Sequence, residues 1–153
     1  MTKTYKYDFL VTGGGSAGCA AAYIASKYGI KTCLVEKNNY LGGLMTGGLV
    51  IPVMKSDSSN INVEFYNDLI SYAKKYNAQI EYFDKNKGWF NPVVLKIVLD
   101  EMLKNAGVDI FFEMYPDRVK KNNGLIKKIR FSSNLLSLYI EAKYYLDSTG
   151  DSK

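Results

Sequence analysis

"KYDFLVTGGGSAGCAAAYIASKYGIKTCLVEK", residues 6–37, decides the fold. Residues 6–12 mix aromatic and branched apolar side chains and run straight into three glycines, the pattern of a parallel strand buried on both faces. Residues 16–29 carry small side chains along one helical face and stop at Gly29, a natural helix end. Residues 30–37 are a second apolar run that closes on a charge. Strand, glycine turn, helix and strand within about 30 residues make a βαβ unit, whose crossover is right-handed almost without exception.

Inside the turn, Gly13, Gly15 and Gly18 have the GxGxxG spacing, after a strand and before a helix, as the dinucleotide fingerprint demands. The first glycine allows the tight turn, the second lets backbone approach a pyrophosphate, and the third lets helix and strand pack closely. Ser16 and Ala17 open the helix whose N–H groups and positive end would lie under the phosphates. Ala22 and Gly29 extend the small-residue packing pattern. Glu36 ends the second strand about 20 residues beyond the glycines, where a carboxylate would accept the ribose hydroxyls. An acid there disfavours a 2′-phosphate and hence NADP. The fingerprint alone leaves FAD and NAD both open.

Composition sets the outer limits. The 153 residues are 47% apolar and 23% charged, enough to bury one core, so a single globular unit is expected. The formal charge of +5 comes from lysines that read as scattered and solvated, with Arg118 and Arg130 the only arginines, so no nucleic-acid partner is expected. Cys19 and Cys33 lack the spacing of a metal or thiol-redox site, and Cys19 reads as a buried helix residue. No apolar run approaches the roughly 18 residues of a membrane span. Asp8, the glycines and Ser16 spoil any signal-peptide reading of the N-terminus. Together these point to a cytoplasmic protein with no membrane partner.

Beyond the βαβ unit, "NYLGGLMTGGLVIPVM" (39–54) is too glycine-rich for a helix and too apolar for a solvated loop, which suggests backbone held against something large and flat. Residues 62–77 have helical spacing, with Phe65, Leu69, Ile70 and Ala73 on one face. Pro92 and Gly107 bracket the best-defined helix, 92–107. Residues 108–114 read as a third core strand. Residues 118–121, 125–133 and 136–147 alternate as three antiparallel strands, with the hairpin turn Asn122-Asn123-Gly124 between the first two. The last strand, or its continuation from Lys143, should return to the parallel sheet and deliver Thr149-Gly150-Asp151 at its carboxyl end. The expected class is α/β: a Rossmann-like FAD/NAD(P)-binding fold, a parallel sheet flanked by helices, with a three-stranded antiparallel β-meander.

These residues resemble a known family. "DFLVTGGGSAGCAAAYIASKYGIKTCLVEKNNYLGGLMTGGLV" is similar to the start of FAD-dependent oxidoreductases of the glutathione-reductase-like superfamily, "NPVVLKIVLDEMLKNAGVDIFF" to a middle segment, and "YLDSTGD" to a later flavin motif. The resemblance implies FAD as cofactor, with Gly13, Gly15 and Gly18 at its pyrophosphate and Glu36 on its adenosine ribose. It places Lys37, Gly42 and Gly43 along the AMP and diphosphate portion, and Met45 and Thr46 towards the flavin. It puts the backbone of Val119 against the adenine, and Gly150 and Asp151 near the diphosphate and ribityl chain. The implied organisation is one FAD-binding domain over 1–153: βαβ unit 6–37, glycine-rich excursion and helices 38–107, core strand and meander 108–147, and TGD turn 149–151. The family's substrate domain, which follows the TGD turn, is expected to be absent.

A flavin enzyme needs groups that place the reactive flavin atom against a substrate. The sequence has no histidine and no evident cluster of acid and base groups, so no catalytic residue is assigned and turnover is left open. Three readings remain. The chain is the FAD-binding portion of an oxidoreductase moving hydride or electrons to an unknown substrate. Alternatively it is a non-catalytic dinucleotide-binding module that self-associates or completes its site with a partner subunit, or an NAD-binding protein.

Overall fold

The structure is a computed structural model that describes residues 3–53, 60–80, 83 and 87–151. Met54, where the glycine-rich stretch was expected to end, and Ser152 and Lys153, after the TGD turn, lie outside the described residues. The chain runs β1 (Lys3–Thr12), α1 (Ser16–Lys27), β2 (Thr32–Val35), a 3₁₀ turn (Gly43–Met45), α2 (Asn60–Lys75), α3 (Pro92–Asn105), β3 (Asp109–Phe111), β4 (Tyr115–Asn122), β5 (Leu125–Ser132) and β6 (Ser137–Asp147).

Among the described residues, these strands form one sheet in the order β3-β2-β1-β6-β5-β4. β3, β2, β1 and β6 are mutually parallel, whereas β6, β5 and β4 are antiparallel. The expected return of the last strand to the parallel sheet is thus present in a stronger form. β6 pairs with β1 from Leu138 opposite Lys3 to Asp147 opposite Thr12, while its first half also pairs with β5. No separate continuation from Lys143 is needed, because one strand belongs to both parts. β1 starts three residues earlier than its apolar run, since pairing to β6 extends it through Lys3. β3 keeps only Asp109–Phe111 of the expected 108–114, because β2 offers just Cys33, Leu34 and Val35 as partners.

Helix boundaries follow local chemistry. The Asn91 side chain caps α3 by accepting from Val93 N (2.9 Å) and Val94 N (3.2 Å), with Pro92 in the first turn. Paired Schellman hydrogen bonds close α1, from Gly29 N to Ser26 O and from Ile30 N to Ala25 O, and the same pattern closes α3 around Gly107. All three helices cover one face of the sheet. There Val11 and Leu34 pack with Cys19, Ala22 and Tyr23 of α1, Leu69 and Ala73 of α2, and Leu95, Leu99, Met102 and Leu103 of α3. Truncating any of the fully buried α3 leucines to alanine is worth about 2–5 kcal/mol. On the opposite face Tyr7, Leu10, Cys33 and Val35 pack with Met114 and with Ile129, Phe131, Leu138 and Ile140 of the meander strands. The two cores hold the carboxyl ends of β1, β2 and β6 side by side, and that edge carries the site. No helix among the described residues is long and apolar enough to cross a membrane.

Candidate functional site

At the carboxyl edge of the parallel strands lies a cavity of about 780 Å³, walled by the β1–α1 turn, the residues after β2, the glycine-rich excursion, the start of β4 and the turn after β6. Its size is within the ~300–1,000 Å³ usual for cofactor pockets.

The β1–α1 turn is fixed from two sides. Gly13 N donates to Val35 O at 2.8 Å, and the Ser148 hydroxyl shares its single proton between Thr12 O (2.9 Å) and Gly13 O (2.8 Å). Gly13 sits at φ +100°, and a Cβ there would lie 2.7 Å from the Ser148 carbonyl, so β1 and β6 meet only over a glycine. A Cβ on Gly18 would overlap the Gly13 carbonyl oxygen, which is the helix-to-strand approach that the third fingerprint position requires. Gly15 differs from both. Its φ of −70° suits any residue, and a Cβ would find nothing within 4 Å. The open space beside it is the cavity. Gly15 is also the N-cap of α1, where no side chain caps the helix and no acid lies in the first turn. The helix therefore presents its unsatisfied N–H groups and positive end to the cavity wall at Ser16 and Ala17.

Glu36 is only 6% exposed, yet its carboxylate is well supplied with donors. Oε2 accepts from Gly14 N at 2.6 Å, and Oε1 accepts from both Asn38 N (2.8 Å) and Asn38 Nδ2 (2.6 Å). Charge-assisted bonds of this kind fix the carboxylate in one orientation at the wall. Lys37, Asn38 and Tyr40 continue that wall, with Lys96 Nζ 3.9 Å above the Tyr40 ring.

The glycine-rich excursion docks on the fingerprint through Gly42 N, which donates to Gly14 O at 2.8 Å. Thr46 is buried, and its hydroxyl donates to Leu41 O to cap the 3₁₀ turn. Across the cavity, Asp147 Oδ1 accepts from Thr149 N (3.0 Å) and Thr149 Oγ1 (2.7 Å), shaping the turn that delivers Gly150 and Asp151.

Of the residues expected from the sequence, Gly13, Gly15, Ser16, Ala17, Glu36, Lys37, Gly43, Gly150 and Asp151 come together on the cavity wall. Gly18 and Gly42 stand just behind it as packing positions. Met45 and Thr46 point into the protein instead, because the 3₁₀ turn directs them inward, while Leu44, Gly47 and Gly48 take the wall. Val119 is also outside the cavity: it lies exposed in β4, opposite Ile129. Met114, Tyr115 and Pro116 hold the wall where Val119 was expected, since the chain turns into β4 at Tyr115 rather than at Arg118.

Sequence reasoning missed Gly14, Asn38 and Ser148. The uninterrupted glycine triplet was the available signal for Gly14, where a Cβ would meet Leu41 Cδ2 at 2.6 Å. Asn38 and Ser148 carry no such signal, as their roles depend on partners placed by the fold. Cys19 is fully buried and donates to Gly14 O at 3.2 Å; burial pushes its thiol up to about 12, which keeps it protonated and unreactive. Among the described residues no group of acids or cysteines is arranged to hold a metal ion.

Comparison with known proteins gives this geometry a context. The family model described as FAD dependent oxidoreductase matches residues 8–153. Digeranylgeranylglycerophospholipid reductase of Thermoplasma acidophilum is 29% identical over 155 residues, covering 94% of this chain and 39% of the relative. The chain thus spans about two fifths of that relative's length. Among solved structures, Thermovibrio ammonificans THI4 superimposes with a TM-score of 0.63 at 19% identity, over 94% of this chain and 57% of that one. The glycerol-3-phosphate dehydrogenase of Bacillus halodurans, solved with FAD, gives 0.62 at 16% identity, over 93% and 34%.

Proposed function

The chain belongs to the FAD-dependent oxidoreductase family, and from that premise we propose that it is the FAD-binding portion of an enzyme that passes hydride or electrons through the flavin to a substrate. The observation that carries the reading is a cavity with an uncapped helix N-terminus at Gly15–Ala17 and an oriented carboxylate at Glu36, inside a chain matched by the family over residues 8–153.

The residues fit FAD. The empty space where a Gly15 Cβ would project admits a diphosphate against the backbone, and the first N–H groups of α1 would offset its charge. Glu36, held by Asn38 and Gly14, would accept the adenosine ribose hydroxyls. Met114, Tyr115 and Pro116 would border the adenine, in place of Val119. The Thr149–Asp151 turn and Leu44, Gly47 and Gly48 would line the path towards the flavin. When bound, FAD supplies the redox step; the protein orients it and excludes water. We assign no acid or base in this chain to that step.

The apolar side chains of Leu44, Leu49 and Val50, exposed on the excursion, favour a second reading: a binding module whose flavin is covered by further polypeptide. The free, buried thiols Cys19 and Cys33 support a cytoplasmic location. The test is direct. Purified protein should be yellow, with released cofactor migrating as FAD, and Glu36→Ala should lower flavin retention. A colourless protein that takes up no FAD on titration refutes the proposal. Reduction of the bound flavin by a donor without further polypeptide would remove the second reading.

A further inference from the structure

We propose that the β4–β5 hairpin docks the protein on an anionic lipid surface, with its lysines on the headgroups and Leu125 and Ile126 seated at the headgroup–acyl boundary. The inference is independent of how the cavity is used.

Residues 118–130, RVKKNNGLIKKIR, contain six cations and no acid, while the whole chain carries only +5. Outside this segment the charge is close to balanced. The lysines that look scattered along the sequence are gathered by strand pairing, which sets Arg118 opposite Arg130 and Lys120 opposite Lys128. Like charges directly across an antiparallel pair destabilise it, and of these four cations only Arg130 has an acid partner among the described residues, Asp117.

Neighbouring cations on the same sheet are handled differently. Lys6 pairs with Glu141 (3.8 Å), Lys143 with Asp8 (2.7 Å), and Arg130 forms a two-pronged contact with Asp117 (2.7 and 2.8 Å). Among the described residues no acid pairs with Lys120, Lys121, Lys127 or Lys128. Lys120 and Lys128 share only the ring of Tyr139, at 5.1 and 4.6 Å.

Shape and apolar content then select the partner. The β5–β6 backbone ladder ends at Ile129, so the two-stranded tip beyond it is held to β6 by side chains alone, through the Tyr139 ring and the Tyr145 hydroxyl, which donates to Lys127 O at 2.8 Å. At the end of this tip Leu125 is 65% and Ile126 36% exposed, next to the unpaired lysines. An acidic polypeptide or nucleic acid would use the cations and leave the aliphatic tip in water. A bilayer surface uses both: apolar side chains enter the boundary zone while lysine stems lie along it with their ammonium groups outward. The cytoplasmic leaflet supplies the negative potential. The expectation of no membrane partner rested on the lack of a spanning segment, which such a hairpin does not need.

The test is co-sedimentation of the chain with phosphatidylcholine vesicles, with and without phosphatidylserine. Binding is expected only with phosphatidylserine and should weaken with salt. Lys121→Gln and Lys127→Gln should each lower partitioning about fivefold. Leu125→Ser with Ile126→Ser should lower it further without changing the salt dependence, and unchanged circular dichroism melting would show these exposed variants fold. Lys74→Gln with Lys75→Gln, which removes two charges from α2, should bind as the parent does. Three results would overturn the proposal: equal binding to neutral vesicles, equal loss in the α2 variant, or hairpin-dependent capture of duplex DNA or polyglutamate with no effect of the Leu125 and Ile126 changes on vesicles.

Discussion

Gly15→Ala separates what the fingerprint does for the fold from what it does for the ligand. The Gly15 backbone, at φ −70° and ψ −173°, is open to alanine, and the added methyl meets nothing within 4 Å. Reduced freedom of the unfolded chain favours alanine by about 0.4–1 kcal/mol, and its poorer fit as an N-cap opposes this by a similar amount. The free protein should therefore melt within about 3 °C of the parent. With FAD the proposed binding mode makes the outcome differ, because the methyl would fill the space through which phosphate would reach the N–H groups of α1. Losing two charge-assisted hydrogen bonds at about 1.5 kcal/mol each comes to ~3 kcal/mol, more than a hundredfold in Kd. At a hundredfold excess over the parent's Kd, FAD stabilises the parent by about 2.7 kcal/mol, a shift of roughly 5–10 °C that the variant should lack. Flavin fluorescence titration and melting curves with and without FAD measure both quantities. Gly13→Ala is the contrast: its Cβ would press on the Ser148 carbonyl at 2.7 Å, so it should lose stability even without FAD. A Gly15→Ala protein that binds FAD within threefold of the parent would refute the reasoning.

Three further outcomes are expected. Asn38→Leu keeps the backbone donor but removes the 2.6 Å bond from Nδ2 to the buried Glu36 carboxylate, so the free protein should melt somewhat lower and titration should show FAD binding about tenfold weaker; parent-like affinity would leave Asn38 without a role at the site. Asp100 Oδ1 is buried without a hydrogen-bond partner, and burial raises the carboxyl above its usual range. Its ionised form thus opposes folding once pH exceeds the unfolded value of about 3.9, and fully so above the raised folded value. Asp100→Asn should accordingly melt higher than the parent at neutral pH, with the gain shrinking as pH falls through Asp100's raised folded value; a constant gain at all pH would break the assignment. Cys19 and Cys33 should both resist a thiol-titrating disulfide reagent until the protein unfolds, and prompt labelling at neutral pH would contradict their burial.

Much of the site was legible because its chemistry is local. Strand periodicity, the glycine spacing and an acid at the strand end are set within residues 6–37, and the structure brings Gly13, Gly15 and Glu36 to one wall. The α3 boundaries were equally readable, since Asn91, Pro92 and Gly107 act through their nearest backbone neighbours. What escaped depends on register and on which way a turn faces. The composition of the excursion does not say that Met45 and Thr46 face inward while Leu44 faces out. Val119 was misplaced because β4 begins three residues before its alternation becomes visible, which moved the wall to Met114–Pro116. The hairpin lysines looked dispersed because only strand pairing sets Lys120 opposite Lys128.

The bond from Ser148 to the Gly13 carbonyl joins residues 135 positions apart. Contacts of such long range form slowly, because most of the chain must be ordered before the two ends meet. During synthesis the βαβ unit can collapse as soon as Val35 is available, but the phosphate turn stays without its brace until Ser148 has left the ribosome. The cradle is therefore among the last features of this fold to become native, and cofactor loading has to wait for Ser148. Addition of FAD should accelerate the end of refolding and leave its early phases unchanged.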